Sequence, residues 1–235
     1  MKCARYSTRA LAKRLLPLLV AGALASSAAL ADATFSIQPD TLNPAQGDIG
    51  DAFDVLLTND GTSDLDIAGF SFGLFTTDTD ITFTEADVDT IVGNYIFLGN
   101  SFVVISLSSS VISLATPVGL PPLPGQTLTA NDATNTPGSW VTVGAGDTVD
   151  LGRVLFDVNP NAVLQSFTIS FLGSPGLFNP YNNLSDENGD PINVDSLQSA
   201  NSTISQTVPE PSPAVLLPIG LTCLWMFRRL FRKVV

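Results

Sequence analysis

An all-β fold, specifically a two-sheet β-sandwich, is what this 235-residue sequence predicts for the body between its two ends. Three observations predict it. Short apolar runs alternate with a period of two, as where Phe53, Val55 and Leu57 are interleaved with Asp54 and Leu56. Clusters of Gly, Pro, Asn and Asp separate the runs, Asn59-Asp60-Gly61 being one. Hydrophobic residues make up 45% of the chain, enough for a full core, yet no stretch of the body carries a convincing helical period.

The body extends from Thr34 to about Thr207. Its first strands are expected at Thr34 to Gln38 and around Phe53 to Leu57. The next, Leu65 to Phe75, should place Ala68, Phe70, Phe72 and Leu74 on the core face, with Ile67, Gly69, Ser71 and Gly73 opposite. Then follow Ile81 to Thr84, Tyr95 to Leu98, Phe102 to Leu107 and Val111 to Ala115. Beyond them lie Gln126 to Ala130, Ser139 to Val143, Val149 to Val158, Ser166 to Leu172, Ile192 to Leu197 and Thr203 to Thr207. Between two of these runs, Thr116 to Pro124 reads TPVGLPPLP; four prolines cannot occupy central ladder positions, so the segment is an expected exposed crossover.

Asp186-Glu187-Asn188-Gly189-Asp190 admits two readings. Oxygen-bearing side chains at alternate positions make Asp186, Asn188 and Asp190 candidate Ca²⁺ ligands. Asn188-Gly189 is also the strongest short turn signal, and Ile192 and Val194 resume strand alternation directly after it. The acid pairs Asp64/Asp66, Asp78/Asp80 and Asp87/Asp89 would each share a face if extended, as solvated edge positions or as sites.

The chain contains no histidine, and its two cysteines, Cys3 and Cys223, sit in the terminal segments. The commonest general base and metal ligand is therefore missing, and thiolate chemistry is missing from the body. A carboxylate pair is the one catalytic device left, but Glu85 and Glu187 are the body's only glutamates and neither stands in a signature context. The expected protein is not an enzyme. Trp140, Tyr95, Tyr181 and Phe178 are candidates for stacking on sugars, Trp140 foremost.

Charge is sharply partitioned. Of ten basic residues, Lys2, Arg5, Arg9, Lys13 and Arg14 lie at one end and Arg228, Arg229, Arg232 and Lys233 at the other, which leaves Arg153 alone between them. Every acid except Glu210 falls between Asp32 and Thr207, so the segment from Asp32 to Thr207 sets 21 acids against one arginine, a formal charge of −20. Phosphate backbones are repelled by such a surface, and nucleic acid is set aside as a partner. The same charge keeps an exported protein soluble.

Both ends read as routing segments. Residues 1–33 have a basic region ending at Arg14, an apolar run from Leu15 to Leu24, and small residues around Ala31 and Ala33, after either of which signal peptidase would cut. Residues 208–235 begin Val208-Pro209-Glu210-Pro211-Ser212, continue as an apolar run from Ala214 to Phe227, and end on the four cations. The two prolines keep the motif extended and open to an enzyme. The apolar run can enter a bilayer as a single short C-terminal hydrophobic helix, and the cations hold its end in the cytoplasm. Pro218, Gly220 and a length short of the ~20 residues of a full span suit a removable anchor.

These three parts, in this order, resemble the PEP-CTERM sorting tail of bacterial exported proteins, the substrates of exosortase-type membrane enzymes. The resemblance implies a Gram-negative precursor anchored in the inner membrane by its tail, then processed near Pro209-Glu210-Pro211 and delivered to the cell surface or outside. The role it implies is structural or adhesive within an exopolysaccharide or biofilm matrix. A second resemblance lies in the body. Gly146-Asp147-Thr148-Val149-Asp150-Leu151-Gly152-Arg153-Val154-Leu155-Phe156-Asp157-Val158, with Phe53-Asp54-Val55 and Gly69-Phe70-Ser71-Phe72, is similar in strand texture to cohesin-like domains, jelly-roll sandwiches related to some carbohydrate-binding modules. It favours sandwich over barrel. Carbohydrate binding and calcium-dependent adhesion stand as the alternative roles.

Overall fold

The computed structural model describes residues 33–88, 94–107, 109–113, 126–177 and 179–206. The signal segment up to Asp32, the proline-rich run, Phe178 and the tail from Val208 onward lie outside the described residues. So do the expected sorting motif Pro209-Glu210-Pro211 and the basic end.

Fourteen strands and one short helix are named here in chain order. They are β1 (Ala33–Pro39), β2 (Asp51–Asn59), β3 (Leu65–Ile67), β4 (Gly69–Thr76) and β5 (Ile81–Asp87), then α1 (Phe102–Ser106) and β6 (Val111–Ser113). After these come β7 (Thr127–Ala133), β8 (Val141–Val143), β9 (Thr148–Val158), β10 (Ser166–Phe171), β11 (Asn183–Ser185), β12 (Pro191–Ile192), β13 (Val194–Gln198) and β14 (Ala200–Thr203). One sheet runs β13-β1-β2-β9-β5-β6; the other runs β12-β11-β4-β10-β14, with β7 on the free edge of β4. β3 and β8 pair as a small separate ladder. The expected all-β two-sheet sandwich is what the chain forms.

Alternation explains the core. Phe53, Val55 and Leu57 of β2 and Phe72 and Leu74 of β4 are fully or almost fully buried, while Asp54 and Leu56 face outward and keep partial contact with water. Rings tie the two sheets together: Phe35 of β1 meets Phe171 of β10 at 6.0 Å between centroids, and Phe156 of β9 meets Phe167 of β10 edge-on at 6.1 Å. β9 carries a bulge where Val55 pairs with Gly152 and Leu56 with Asp150, leaving Leu151 as the extra residue. The bulge is tightly packed: a Cβ on Gly152 would lie 2.8 Å from Ile112 Cδ1 and 3.2 Å from the Asp87 carbonyl oxygen, so a larger residue there requires both neighbours to shift.

Three expectations are corrected. The run Leu65 to Phe75 is two strands, broken at Ala68, whose amide donates to the Ser185 carbonyl while its own carbonyl accepts from Thr134. The break shifts the phase by one residue, so Ile67 is buried together with Leu65, and Ala68 is half-buried. Tyr95 to Leu98 is a set of turns rather than a strand. Tyr95, Ile96 and Phe97 are all buried, which strand alternation cannot achieve.

Phe102 to Leu107, expected as a strand, instead contains α1. Ser101 caps it: the Oγ accepts from the Val104 amide at 3.1 Å. The Asp132 carboxylate accepts from the Val103 amide at 3.2 Å. These two acceptors satisfy N-terminal donors that β-branched residues would otherwise leave bare, so tertiary and capping bonds outweigh local β-propensity.

A groove between the short helix and the sheet face

A groove of about 460 Å³ lies where α1 and β6 meet β4, β7 and β11. Sheet register builds one part of its lining. Ser71 of β4 pairs with Asn131 of β7 on one side and Asn183 of β11 on the other, so the three residues form a row across the sheet. In the next row Gly69 stands between Ala133 and Ser185. Small side chains there keep the sheet surface flat. The Ser71 hydroxyl donates to Asn183 Oδ1 at 3.1 Å or to the Tyr181 carbonyl at 3.2 Å. Asn131 makes no side-chain hydrogen bond among the described residues, and the Asn183 amide group makes none there either.

The other part of the lining is apolar: Phe102, Val103, Leu107, Val111 and Ile112. Phe102 is 45% exposed and Leu107 60%, beside the comparably exposed Val104 and Ile105 on the same turn and Leu98 just before it. This is an unusual concentration of exposed apolar side chains for so charged a surface.

Asp132 is the groove's one ionisable residue, and it is fully engaged. Its Oδ2 accepts from the Ser101 hydroxyl at 2.5 Å and from the Tyr95 hydroxyl. Its Oδ1 accepts from the amides of Val103 and Ala133, the latter at 2.8 Å. Burial first, then the Asp132 charge, pushes the Tyr95 phenol far above its ordinary range, so Tyr95 remains a neutral donor. The network anchors α1 and presents no free charge to a ligand.

Acids elsewhere mostly serve the chain itself. Asp186 Oδ1 accepts from the amides of Asn188 and Asp190 at 2.8 and 2.9 Å, and Gly189 (φ +80) completes a turn between β11 and β12. The sequence Asp186, Asn188 and Asp190 is thus a hairpin turn. No group of three or more Asp, Glu, His or Cys ligands occurs among the described residues. Asp64 accepts from the Ala145 amide and Asp66 from the Thr142 hydroxyl; Asp78 accepts from Gln165 and from the Asp80 amide, and Asp80 from the Val163 amide.

Arg153 lies on β9 across from Asp54, with Nε 2.9 Å from Oδ1 and Nη2 3.1 Å from Oδ2, and with Asp40 at 3.6 Å. That bidentate bond holds the guanidinium above its ordinary value. Nearby Asp150 is raised, by burial first and then by Asp54.

Of the sequence candidates, Trp140 is 47% exposed immediately before β8 and does not line the groove. Tyr95 is buried in the Asp132 network, and Glu85 and Glu187 fall on different sheets, in β5 and in the β11–β12 turn. The groove residues Phe102, Asn131 and Asn183 went unnoticed in the sequence. Asn131 and Asn183 meet only through pairing across 52 residues of chain with Ser71 between them, a register that no local pattern encodes.

No family model matches the chain, and no curated protein matches it. Among solved structures it is similar to the seventh ScaB type I cohesin of Pseudobacteroides cellulosolvens, at 10% identity and a TM-score of 0.46 over 77% of this chain and 95% of that one. It is similar to the sixth cohesin of Acetivibrio cellulolyticus scaffoldin B, solved in complex with a dockerin, at 14% identity and a TM-score of 0.44 over 74% and 99%. A type II cohesin from the cellulosome of Acetivibrio cellulolyticus gives 14% identity and a TM-score of 0.42 over 73% and 95%. These neighbours are cohesin domains.

Proposed function

We propose that this chain is an exported structural or adhesive protein of the cell surface or extracellular matrix, and that it makes its adhesive contact through the groove beside α1. The carrying observation is the cluster of exposed Leu98, Phe102, Val104, Ile105 and Leu107 next to a concave surface whose only carboxylate is saturated. Export and sorting rest on the two ends. Signal peptidase and an exosortase-type enzyme are the processing partners, the tail helix is the membrane attachment before processing, and matrix exopolysaccharide is the setting. No catalytic role is assigned: the chain lacks histidine, and its two body glutamates lie apart.

The described strands also support one signal-peptide cut over the other. Ala33 is wholly buried in β1 and pairs with Asn59 and Val194. Removal after Ala31 keeps that residue in the sheet, whereas removal after Ala33 deletes it.

The adhesive reading is tested by replacing Phe102 and Ile105 together with serine. Both side chains are nearly half exposed, so the fold should tolerate the change and the melting midpoint should hold. The expected result is release of the exported protein from washed cells into the medium. Retention equal to that of the unaltered protein would remove the groove from the account.

A further inference from the structure

Given that adhesive reading, on which the inference rests, we infer that the groove's occupant is an uncharged polysaccharide. Three observations select it. The Asn131–Ser71–Asn183 row sets carboxamides and a hydroxyl side by side on a flat floor, with both donors and acceptors available to a ligand rich in hydroxyl groups. Phe102 and Leu107 supply exposed apolar surface beside that row, where the C–H face of a sugar ring can lie on an aromatic plane. The groove itself offers no free charge, because Asp132 has all its acceptor positions directed at Tyr95, Ser101, Val103 and Ala133.

Long-range charge excludes the competitors. A second copy of the segment from Asp32 to Thr207 would bring another formal −20 to the interface, and acidic polysaccharide would meet the same field. A basic partner would be attracted to the carboxylates elsewhere on the surface and would find no counter-ion in the groove. A neutral chain of hydroxyl-bearing rings feels no such field and matches both walls.

The test is affinity electrophoresis of the exported protein through gels containing a neutral glycan, with dextran, hydroxyethylcellulose and galactomannan as the probes and alginate as the anionic comparison. The expected result is retardation in at least one neutral gel and none in alginate. Phe102→Ala and Asn131→Ala should each weaken retardation by about tenfold, from the loss of one buried apolar face or one hydrogen-bonded pair. Trp140→Ala should leave it unchanged.

Three results would overturn the inference: free migration in all three neutral gels, retardation in alginate instead, or loss with Trp140→Ala but not with Phe102→Ala. If no neutral glycan retards the protein while the Phe102/Ile105 double variant still detaches from cells, the ligand class is wrong and the adhesive reading stands. If retardation depends on Phe102 while cell retention does not, the ligand class stands and the adhesive reading falls.

Discussion

Arg153 carries the one positive side chain among the described residues and pairs with Asp54 of the neighbouring β2 and with Asp40, just past the end of β1. Replacing it with alanine leaves Asp54 facing Asp150 without a counter-ion, and a bidentate charged hydrogen bond of this kind contributes about 2 kcal/mol. The Arg153→Ala variant should therefore melt several degrees lower at pH 8. The deficit should shrink at pH 5. Asp150 is raised by burial and by Asp54, and Asp51 by burial together with Asp48 and Asp157. A carboxyl raised in the folded state holds more protons there than in the unfolded chain, so its contribution to stability grows as pH falls toward the ordinary carboxylate value and is lost as pH rises through the folded one. Thermal melts of both proteins at pH 5 and pH 8 check the sign; a wild-type midpoint no higher at pH 5 would show that these two carboxyls do not govern it. Arg153 as the lone cation was plain from composition, but its partners were not, since Asp54 lies 99 residues away.

At the scale of elements, α1 is held by its cap and by Asp132 rather than by its composition. Ser101→Ala removes the acceptor for the Val104 amide and one donor to Asp132, and should cost about 1 kcal/mol. Urea melts would report it as a lower midpoint with the slope preserved; an unchanged midpoint would mean that the cap bears no load. The β11–β12 turn makes a second case. Because Asp186 Oδ1 is already bonded to two amides, Ca²⁺ should raise the melting midpoint no more than Mg²⁺ does at equal millimolar concentration. A calcium-specific rise would place an ion in that turn. Alternating strands such as β2 and β9 were legible because one buried face imposes period two. The phase break at Ala68 and the helix at Phe102 were not, since each depends on a hydrogen bond from a distant strand: Ser185 in one, Asp132 in the other.

For the molecule as a whole, many of the acids face water or bind backbone amides, while the exposed apolar side chains of α1 gather beside one groove whose single carboxylate, Asp132, is buried and hydrogen-bonded. The class of fold was visible in the spacing of Phe, Val and Leu along the strands. The groove was not, because it exists only where four strands and a helix from separate stretches of the chain come together. No helix among the described residues is long and apolar enough to cross a membrane. The route is the central claim, and intact-mass measurement of the exported protein tests it at both ends at once. The account predicts a chain that begins at Asp32, keeps Ala33 in β1, and ends before Phe227. A mass that retains Val235 would contradict it.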